Sequence, residues 1–127
     1  MLLAINTSGP EISIALYWPQ KIQKIYQYKS EQKSDNLLLA IQRILRQNKI
    51  ELNHLKAIIV NRGPGSFTGL RVGISTANAL AYALKIPVIG IKNQKNPLKL
   101  AKQGYKKFKS IKSKADSKVL PFYGYKI

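Results

Sequence analysis

Apolar runs alternate with short polar breaks along residues 1–91. Residues 1–5 are apolar and lead through a polar, Gly-containing stretch into residues 11–18, where apolar side chains recur at every second position. Two such runs separated by a turn are typical of a β-hairpin. Residues 21–28 fit either a third strand or a short helix, and the hairpin and Pro19 before them favour a strand.

The next apolar pattern has helical spacing and predicts a helix over residues 34–48. Ser34 is placed to cap its amino terminus, and Asp35 suits the positive end of the helix dipole. Five apolar residues fall within about one third of the helical wheel. We predict that these five face the core: Leu37, Leu38, Ile41, Ile44 and Leu45. Leu39 points the opposite way, so it is either simply exposed or in contact with a partner.

Residues 57–60 form a fully apolar run of the kind that is buried on both faces in an α/β sheet. A Gly-rich loop follows, then a helix over about Phe67–Leu84 and a strand over residues 86–91. The predicted order is β-β-β-α-β-α-β, an α/β fold with a mixed sheet. After the last strand the apolar pattern weakens, so we predict a domain at 1–91 and a tail at 92–127.

The predicted tail is strongly basic. The chain has 127 residues and a net charge of +17, with 22 Lys and Arg against 5 Asp and Glu. Residues 1–91 hold 11 basic and 4 acidic side chains, whereas residues 92–127 hold 11 Lys and one Asp. Lys binds phosphate as a point charge, without the paired hydrogen bonds of Arg. The Lys residues of the tail therefore either bind a polyanion such as tRNA or simply fill solvated positions.

Composition also excludes several classes of site. The absence of Cys excludes disulfides, thiolate zinc sites and Cys nucleophiles. His54 is the one His of the chain, which excludes a two-His metal motif, and we predict no metal site. No apolar stretch approaches the roughly 18 residues that span a bilayer, and the amino terminus lacks the pattern of a signal peptide. We therefore expect a cytoplasmic protein with no membrane partner.

Residues 63–71, GPGSFTGLR, lie between a predicted buried strand and a predicted helix. At such a position the loop amides and the helix dipole favour an anion, and Gly lets a ligand approach the backbone closely. The spacing matches neither a Walker A loop nor the dinucleotide-binding fingerprint. Two interpretations stay open, a phosphate-binding loop or a tight turn that packs a helix on the sheet.

The helix after this loop carries small residues at every fourth position, namely Gly69, Gly73, Ala77 and Ala81. Small side chains at this spacing let two helices approach closely, and Leu70 and Ile74 flank the ridge. Each Gly inside a helix costs roughly 1 kcal/mol relative to Ala, and close packing would explain that cost. Apolar and small residues cover more than half of the wheel, so we predict one face on the sheet and another against a helix. That helix is the one at 34–48 or one from a partner subunit, and we favour both.

These motifs resemble the TsaB family. Residues 4–8, AINTS, and 14–16, IAL, are similar to the opening hairpin of the family. Residues 61–74, NRGPGSFTGLRVGI, are similar to its signature loop and helix, and residues 87–91, PVIGI, match the strand that follows. The resemblance covers about residues 1–91 and implies an actin-like ATPase fold, related to ribonuclease H.

The resemblance further implies an accessory, non-catalytic subunit in the synthesis of threonylcarbamoyl-adenosine on tRNA. Family members pair with the transferase TsaD through a bundle of helices, and a TsaE ATPase joins the pair. On this basis we predict a partner interface at Leu38, Leu39, Gly69, Leu70, Gly73, Ile74, Ala77 and Ala81. A homodimer through the same helices is the competing arrangement.

The resemblance gives this chain no nucleotide site of its own but leaves room for ATP or ADP at the subunit interface. The residues predicted to face phosphate are Asn6, Thr7, Ser8, Gly63, Gly65 and Ser66. Asn6 stands where family members usually have Asp, which argues against ATP chemistry by this chain alone. Two alternatives stay open: a basic tRNA-binding module without a TsaD partner, and an autonomous enzyme, against which the composition argues.

The chain is short for the family. A full-length member has a second α/β domain after the strand at 86–91, where this chain has only residues 92–127. We interpret it as a minimal form in which a Lys-rich tail takes the place of the second domain.

Overall fold

The computed structural model describes residues 1–21, 23–29 and 33–110, without the side chains of residues 33–36. This part of the chain contains five strands, three α-helices and a single 3-10 turn. In chain order these are β1 (Leu2–Asn6), β2 (Glu11–Tyr17), β3 (Gln23–Lys29), α1 (Lys33–Gln47), the 3-10 turn (Leu52–His54), β4 (Ala57–Asn61), α2 (Phe67–Leu84), β5 (Val88–Ile91) and α3 (Pro97–Ser110). The predicted order is confirmed, β3 is a strand, and a third helix follows.

The strands form one mixed sheet in the order β3-β2-β1-β4-β5. β1 pairs antiparallel with β2, where Ile5 lies opposite Ile14, and parallel with β4, where Ile5 lies opposite Val60. β4 and β5 are also parallel. Because parallel strands end at the same edge of a sheet, the loops after β1 and β4 are brought side by side.

Helices cover both faces of this sheet. Side chains alternate along a strand, so Leu3 and Ile5 join the cluster under α1 and α2, whereas Leu2 and Ala4 join the cluster under α3. All five residues of β1 and all five of β4 are buried. Because both faces of the sheet are buried, residues 57–60 are all apolar and do not alternate with polar residues.

Helix α3 places the end of the folded unit beyond residue 91. Leu100 and Ala101 are fully buried against the sheet, and Tyr105 and Phe108 pack around them. Gly104 lies so close to the side chain of Ile59 that a Cβ atom would not fit. We call the face of the sheet under α1 and α2 the front face and the face under α3 the back face. The predicted boundary at 91 is therefore wrong, because α3 buries the back face. The rest of the predicted tail, residues 111–127, lies outside the described residues.

Helix α1 begins at Lys33, one residue before the predicted start, and the side chains of the predicted caps Ser34 and Asp35 are outside the described set. Four of the five predicted core residues are buried: Leu37, Ile41, Ile44 and Leu45. Leu38 is 47% exposed, so its assignment to the core was wrong. It lies 100° from Leu37 at the margin of the stripe, where cover is incomplete. Leu39 is 57% exposed, as its opposite direction predicts.

Helix α2 starts at the N-cap Ser66, whose hydroxyl accepts a hydrogen bond from the amide of Gly69 at 3.2 Å. The helix packs on β4 and against α1, as predicted. Its small-residue ridge faces inward, and at Gly73 a Cβ atom would collide with the side chain of Thr7.

Six of the eight residues predicted to form a partner interface are therefore buried within the chain: Gly69, Leu70, Gly73, Ile74, Ala77 and Ala81. The assignment of these six is corrected, because the sheet and α1 already occupy the close-packing face.

Gly73→Ala is expected to destabilise the protein by about 1–3 kcal/mol, the usual cost of overpacking a core. The added methyl group meets the buried side chain of Thr7, and this collision outweighs the roughly 1 kcal/mol that Ala gains over Gly in a helix. Urea unfolding followed by circular dichroism measures the change. Ser75→Ala on the exposed face is the matched control and should be neutral. Equal stability of the Gly73 variant and the parent would contradict the close contact.

A chain ending at residue 91 is expected not to fold cooperatively, whereas one ending at Ser110 is expected to fold. Removing α3 uncovers large side chains such as Tyr17, Ile59 and Ile89, each worth about 1.5–3 kcal/mol when fully buried. That loss is comparable to the ~5–15 kcal/mol by which a typical domain is stable. Unfolding curves and dye binding to exposed apolar surface test both chains. A sigmoidal unfolding curve for the shorter chain would disprove the structural role of α3.

Candidate functional site

A cluster of buried polar side chains lies where β1 and β4 end. Asn6, Thr7 and Ser8 follow one strand and Asn61 ends its parallel neighbour, and all four are at most 5% exposed. Buried polar groups are costly unless they are hydrogen-bonded. Their partners therefore decide whether this cluster can still bind a ligand.

The side chain of Asn6 is the centre of the cluster. Its Oδ1 accepts hydrogen bonds from the Ser8 amide at 3.0 Å, the Ser8 hydroxyl at 2.7 Å and Asn61 Nδ2 at 3.0 Å. Its Nδ2 donates to the carbonyl of Lys95 at 3.0 Å. Asn61 Oδ1 accepts from the amide of Gly63 at 3.1 Å, which links the first loop to the Gly-rich loop. The hydroxyl of Thr7 donates to the carbonyl of Gly69 in the first turn of α2.

The Gly-rich loop packs directly on the loop after β1. The amide of Ser66 donates to the carbonyl of Ser8 at 2.8 Å. At Gly65 a Cβ atom would lie 2.5 Å from Ser8 Cβ, so only Gly fits this approach. Gly63 has φ 107°, a backbone conformation that favours Gly, and its carbonyl accepts from the amide of Asn93 at 2.7 Å.

The six residues predicted to face phosphate are thus brought together, but many of their donors are used inside the chain. The amides of Ser8, Gly63 and Ser66 donate to protein oxygens. A phosphate cradle needs several amides that point outward. The geometry favours the alternative interpretation of this loop, a tight turn that packs α2 on the sheet, and a nucleotide contact here stays a prediction.

The exposed side of α2 and the neighbouring part of α1 offer a different kind of site. Phe67 is 54% exposed and Tyr82 is 85% exposed, and both lie on α2. Arg71 stacks over the Phe67 ring at 5.3 Å from its centroid. Small side chains lie between the two rings on the same side of α2, including the exposed residues Ser75 and Ala79.

We call this surface, together with Leu38 of α1, the helical face; its members are Leu38, Phe67, Arg71, Ser75, Ala79 and Tyr82. Leu38 was predicted as an interface residue, and Phe67 and Tyr82 were not. The signal for Tyr82 was present in the sequence, because the helical wheel places it with Arg71 and Ser75 on the polar side of α2.

Leu39, the other exposed residue of α1 that was predicted to contact a partner, lines a separate groove between β3 and α1. This groove has a volume of about 720 Å³, and Tyr26, Tyr28 and Arg43 also line it. Burial raises the pKa of Tyr28 above its usual range. Leu38 and Leu39 therefore belong to two different surfaces.

Other chemistry is sparse in residues 1–21, 23–29 and 33–110. These residues contain no group of three or more His, Cys, Asp or Glu that could hold a metal ion. His54 is exposed, and its Nδ1 accepts from the amide of Glu51 at 3.2 Å. None of the helices in these ranges has the length and apolar character needed to cross a membrane.

Asn61→Ala is expected to lower the free energy of unfolding by about 2 kcal/mol or more. The substitution leaves Gly63 N–H without its acceptor and removes donors to Asn6 and Ser8, and each unsatisfied buried group costs about 1–3 kcal/mol. Asn53→Ala, at an exposed Asn in the 3-10 turn, is the control and should be neutral. Denaturant unfolding measures both variants, and equal stability of the two would refute a structural role for the cluster.

Comparisons with known proteins identify related families. The family described as "TsaD: tRNA N6-adenosine threonylcarbamoyltransferase" matches residues 26–111. The tRNA threonylcarbamoyladenosine biosynthesis protein TsaB of Buchnera aphidicola subsp. Schizaphis graminum is 33% identical over 109 residues, 86% of this chain and 50% of that protein. The TsaB protein of Haemophilus influenzae is 38% identical over 92 residues, 72% of this chain and 39% of that protein.

A solved structure agrees with these sequence matches. YeaZ from Pseudomonas aeruginosa superposes with a TM-score of 0.66 and 32% identity, over 72% of this chain and 44% of that one. The chain spans about half, or less, of the length of the curated relatives it matches. The α/β fold, the loop motif and relatives above 30% identity over more than two thirds of the sequence lead to one conclusion: the chain belongs to the TsaB family.

Proposed function

We propose that this protein is a non-catalytic scaffold subunit in the synthesis of threonylcarbamoyl-adenosine on tRNA, and that it binds a TsaD-like transferase. Its relatives are named as tRNA threonylcarbamoyladenosine biosynthesis proteins, and the matching family is described as the transferase. A chain that resembles its own partner is well suited to pair with it through equivalent helices in a pseudo-symmetric contact.

The observation that carries the proposal is the exposure of large apolar side chains on the helical face. A single exposed apolar residue is ordinary, but here Leu38, Phe67 and Tyr82 occur on two helices that pack against each other. Aromatic and Arg side chains supply most of the binding energy at typical interfaces. The small residues Ser75 and Ala79 between them would let a partner helix approach closely.

The interface proposed here differs from the one expected from the small-residue ridge. A partner helix cannot use Gly73 or Ala77 as contact points, since Thr7, the sheet and α1 cover that side of α2. It would instead lie along the outer side of α2, between the rings of Phe67 and Tyr82. A second copy of this chain would compete for the same surface.

A TsaE-like ATPase that joins the pair, and ATP or ADP at the subunit interface, stay predictions that rest on the family resemblance. Any such nucleotide contact would involve loops whose amides are already engaged, as at Ser8 and Ser66. The partner would then have to supply most of the phosphate-binding groups.

The scaffold proposal is tested by copurification and titration with the TsaD-like protein of the same genome. Tyr82→Ala is expected to weaken the complex about tenfold or more, since loss of an interface aromatic costs more than about 1.4 kcal/mol when it is a hot spot. Ala79→Arg, which places a long charged side chain on the helical face between Phe67 and Tyr82 in sequence, is expected to abolish the complex. Both positions are exposed, so folding should be retained.

Gln103→Arg is the matched control, because it adds the same side chain at an exposed position on the opposite side of the sheet. This variant should bind the transferase like the parent. Undiminished binding by Ala79→Arg and Tyr82→Ala would exclude the helical face as the interface. The absence of any complex at micromolar concentrations would exclude the scaffold proposal itself.

The second candidate is a basic tRNA-binding module that acts without a TsaD-like partner. The net charge of +17 favours it, as does the concentration of Lys after residue 91. The two candidates differ in the surface they need, since transferase binding uses α1 and α2 whereas the excess charge lies on and beyond α3.

A further inference from the structure

Helix α3 is amphipathic in an unusual way, because its outer side is almost entirely lysine. Lys99, Lys102, Lys106 and Lys107 are all exposed, and we call them the lysine face. Lys99, Lys102 and Lys106 follow one another at intervals of three and four residues, which places them on one side of the helix. They span about 10 Å along its axis at 1.5 Å per residue.

The sequence of α3, PLKLAKQGYKKFKS, contains no acidic residue to offset this charge. Like charges three or four residues apart destabilise a helix by a few tenths of a kcal/mol per pair. The apolar side of α3 is fixed to the sheet by Leu100 and Ala101, so the lysines are held together on a rigid support. A polyanion bound along this side would relieve the repulsion.

The aromatic residues of α3 do not belong to the lysine face. Tyr105 packs against Tyr17 with ring centroids 5.8 Å apart, and Phe108 packs on the same back-face cluster. Lys109 lies over the Tyr105 ring at 4.8 Å. With these rings used as anchors, α3 offers charge without rings on which bases could stack, in contrast to typical single-strand binders.

A shallow hollow of about 570 Å³ runs beside the lysine face. Its lining includes Lys106 and Lys107 from α3 together with Lys92, Gln103 and Ser110. Three lysines and no carboxylate line this hollow, so it is positively charged and attracts phosphodiester anions. Lys binds phosphate as a point charge and carries little information about sequence.

We propose that the lysine face binds the phosphate backbone of a structured RNA without regard to base sequence. The choice of RNA as the polyanion rests on the proposed function, since the relatives are named for tRNA modification. The contact lies on the side of the sheet opposite α1 and α2. RNA binding and transferase binding therefore use separate surfaces.

The test measures binding of an unmodified tRNA transcript to the full chain as a function of salt concentration. Lys99→Gln, Lys102→Gln and Lys106→Gln are combined in one variant. Its affinity near 100 mM salt is expected to fall at least tenfold. The slope of log K against log salt should become shallower by about 2–3, because each lost phosphate contact contributes roughly 0.7–0.9. Thermal stability should stay equal or rise, because repulsion within α3 is removed.

The matched control replaces Lys21, Lys29 and Lys56 with Gln, three exposed lysines away from α3. It removes the same charge and keeps the same residues 111–127, so it should retain most of the affinity and slope. Equal weakening by both variants would show that only net charge matters and would overturn the lysine face. Unchanged binding by the α3 variant would overturn it as well.

Two further measurements separate this proposal from others. The α3 variant should still copurify with the TsaD-like protein, so that loss of RNA binding and loss of the scaffold role are distinguishable. Vesicles that contain about one third phosphatidylserine test the competing polyanion. If the α3 substitutions abolish vesicle binding and leave tRNA binding unchanged, the lysine face is a membrane contact and the RNA proposal is wrong.

Discussion

Burial of the central strands on both faces of the sheet is the constraint on which the rest of the structure depends. β1 and β4 are buried along their whole length, so each face of the sheet needs helices in close contact. On the front face α2 approaches so closely that Gly73 is required against Thr7. On the back face α3 fits only because Gly104 leaves space for Ile59. The exposed side chains of these helices are therefore held in fixed positions. They are mainly aromatic and small residues on the outer side of α2, and lysines on the outer side of α3.

The polar cluster at the end of β1 has a structural role that explains Asn6. The Asn6 side chain accepts three hydrogen bonds through its oxygen and donates one to the carbonyl of Lys95. A carboxylate could accept the same three bonds but could not donate to Lys95, and it would place a second acceptor against that carbonyl. The amide thus ties the segment before α3 to the sheet edge. Where the family resemblance leads us to expect an acidic group, the amide of Asn6 provides a connection within the fold.

Sequence patterns predicted the elements well because their cause is local. Alternation in β2 and the helical spacing of Leu37, Ile41 and Ile44 record which side of each element meets the core. Burial of Leu38 was predicted wrongly, because the helical wheel gives the direction of a side chain but not how far the neighbouring elements extend.

The ridge of Gly69, Gly73, Ala77 and Ala81 indicated close packing correctly. The sequence could not show what packs there, because a small residue is equally suited to the chain's own sheet and to a partner helix. Helix α3 was missed as part of the fold because its lysines are as numerous as its apolar side chains. Its inner side is marked by Leu100, Ala101, Tyr105 and Phe108.

The separation of the two outward surfaces bears on the proposed scaffold role. The helical face lies on α1 and α2, and the lysine face lies on α3 across the sheet, so the proposed protein partner and the proposed RNA would not compete for the same residues. A five-stranded sheet lies between the two surfaces. Close-packed protein interiors have low compressibility, so the distance between the surfaces is nearly fixed. A transferase held in front and a tRNA backbone held behind would therefore keep a fixed relation to each other. In the proposed arrangement the subunit would raise the local concentration of the RNA at the transferase by holding both, a role that needs no catalytic residue.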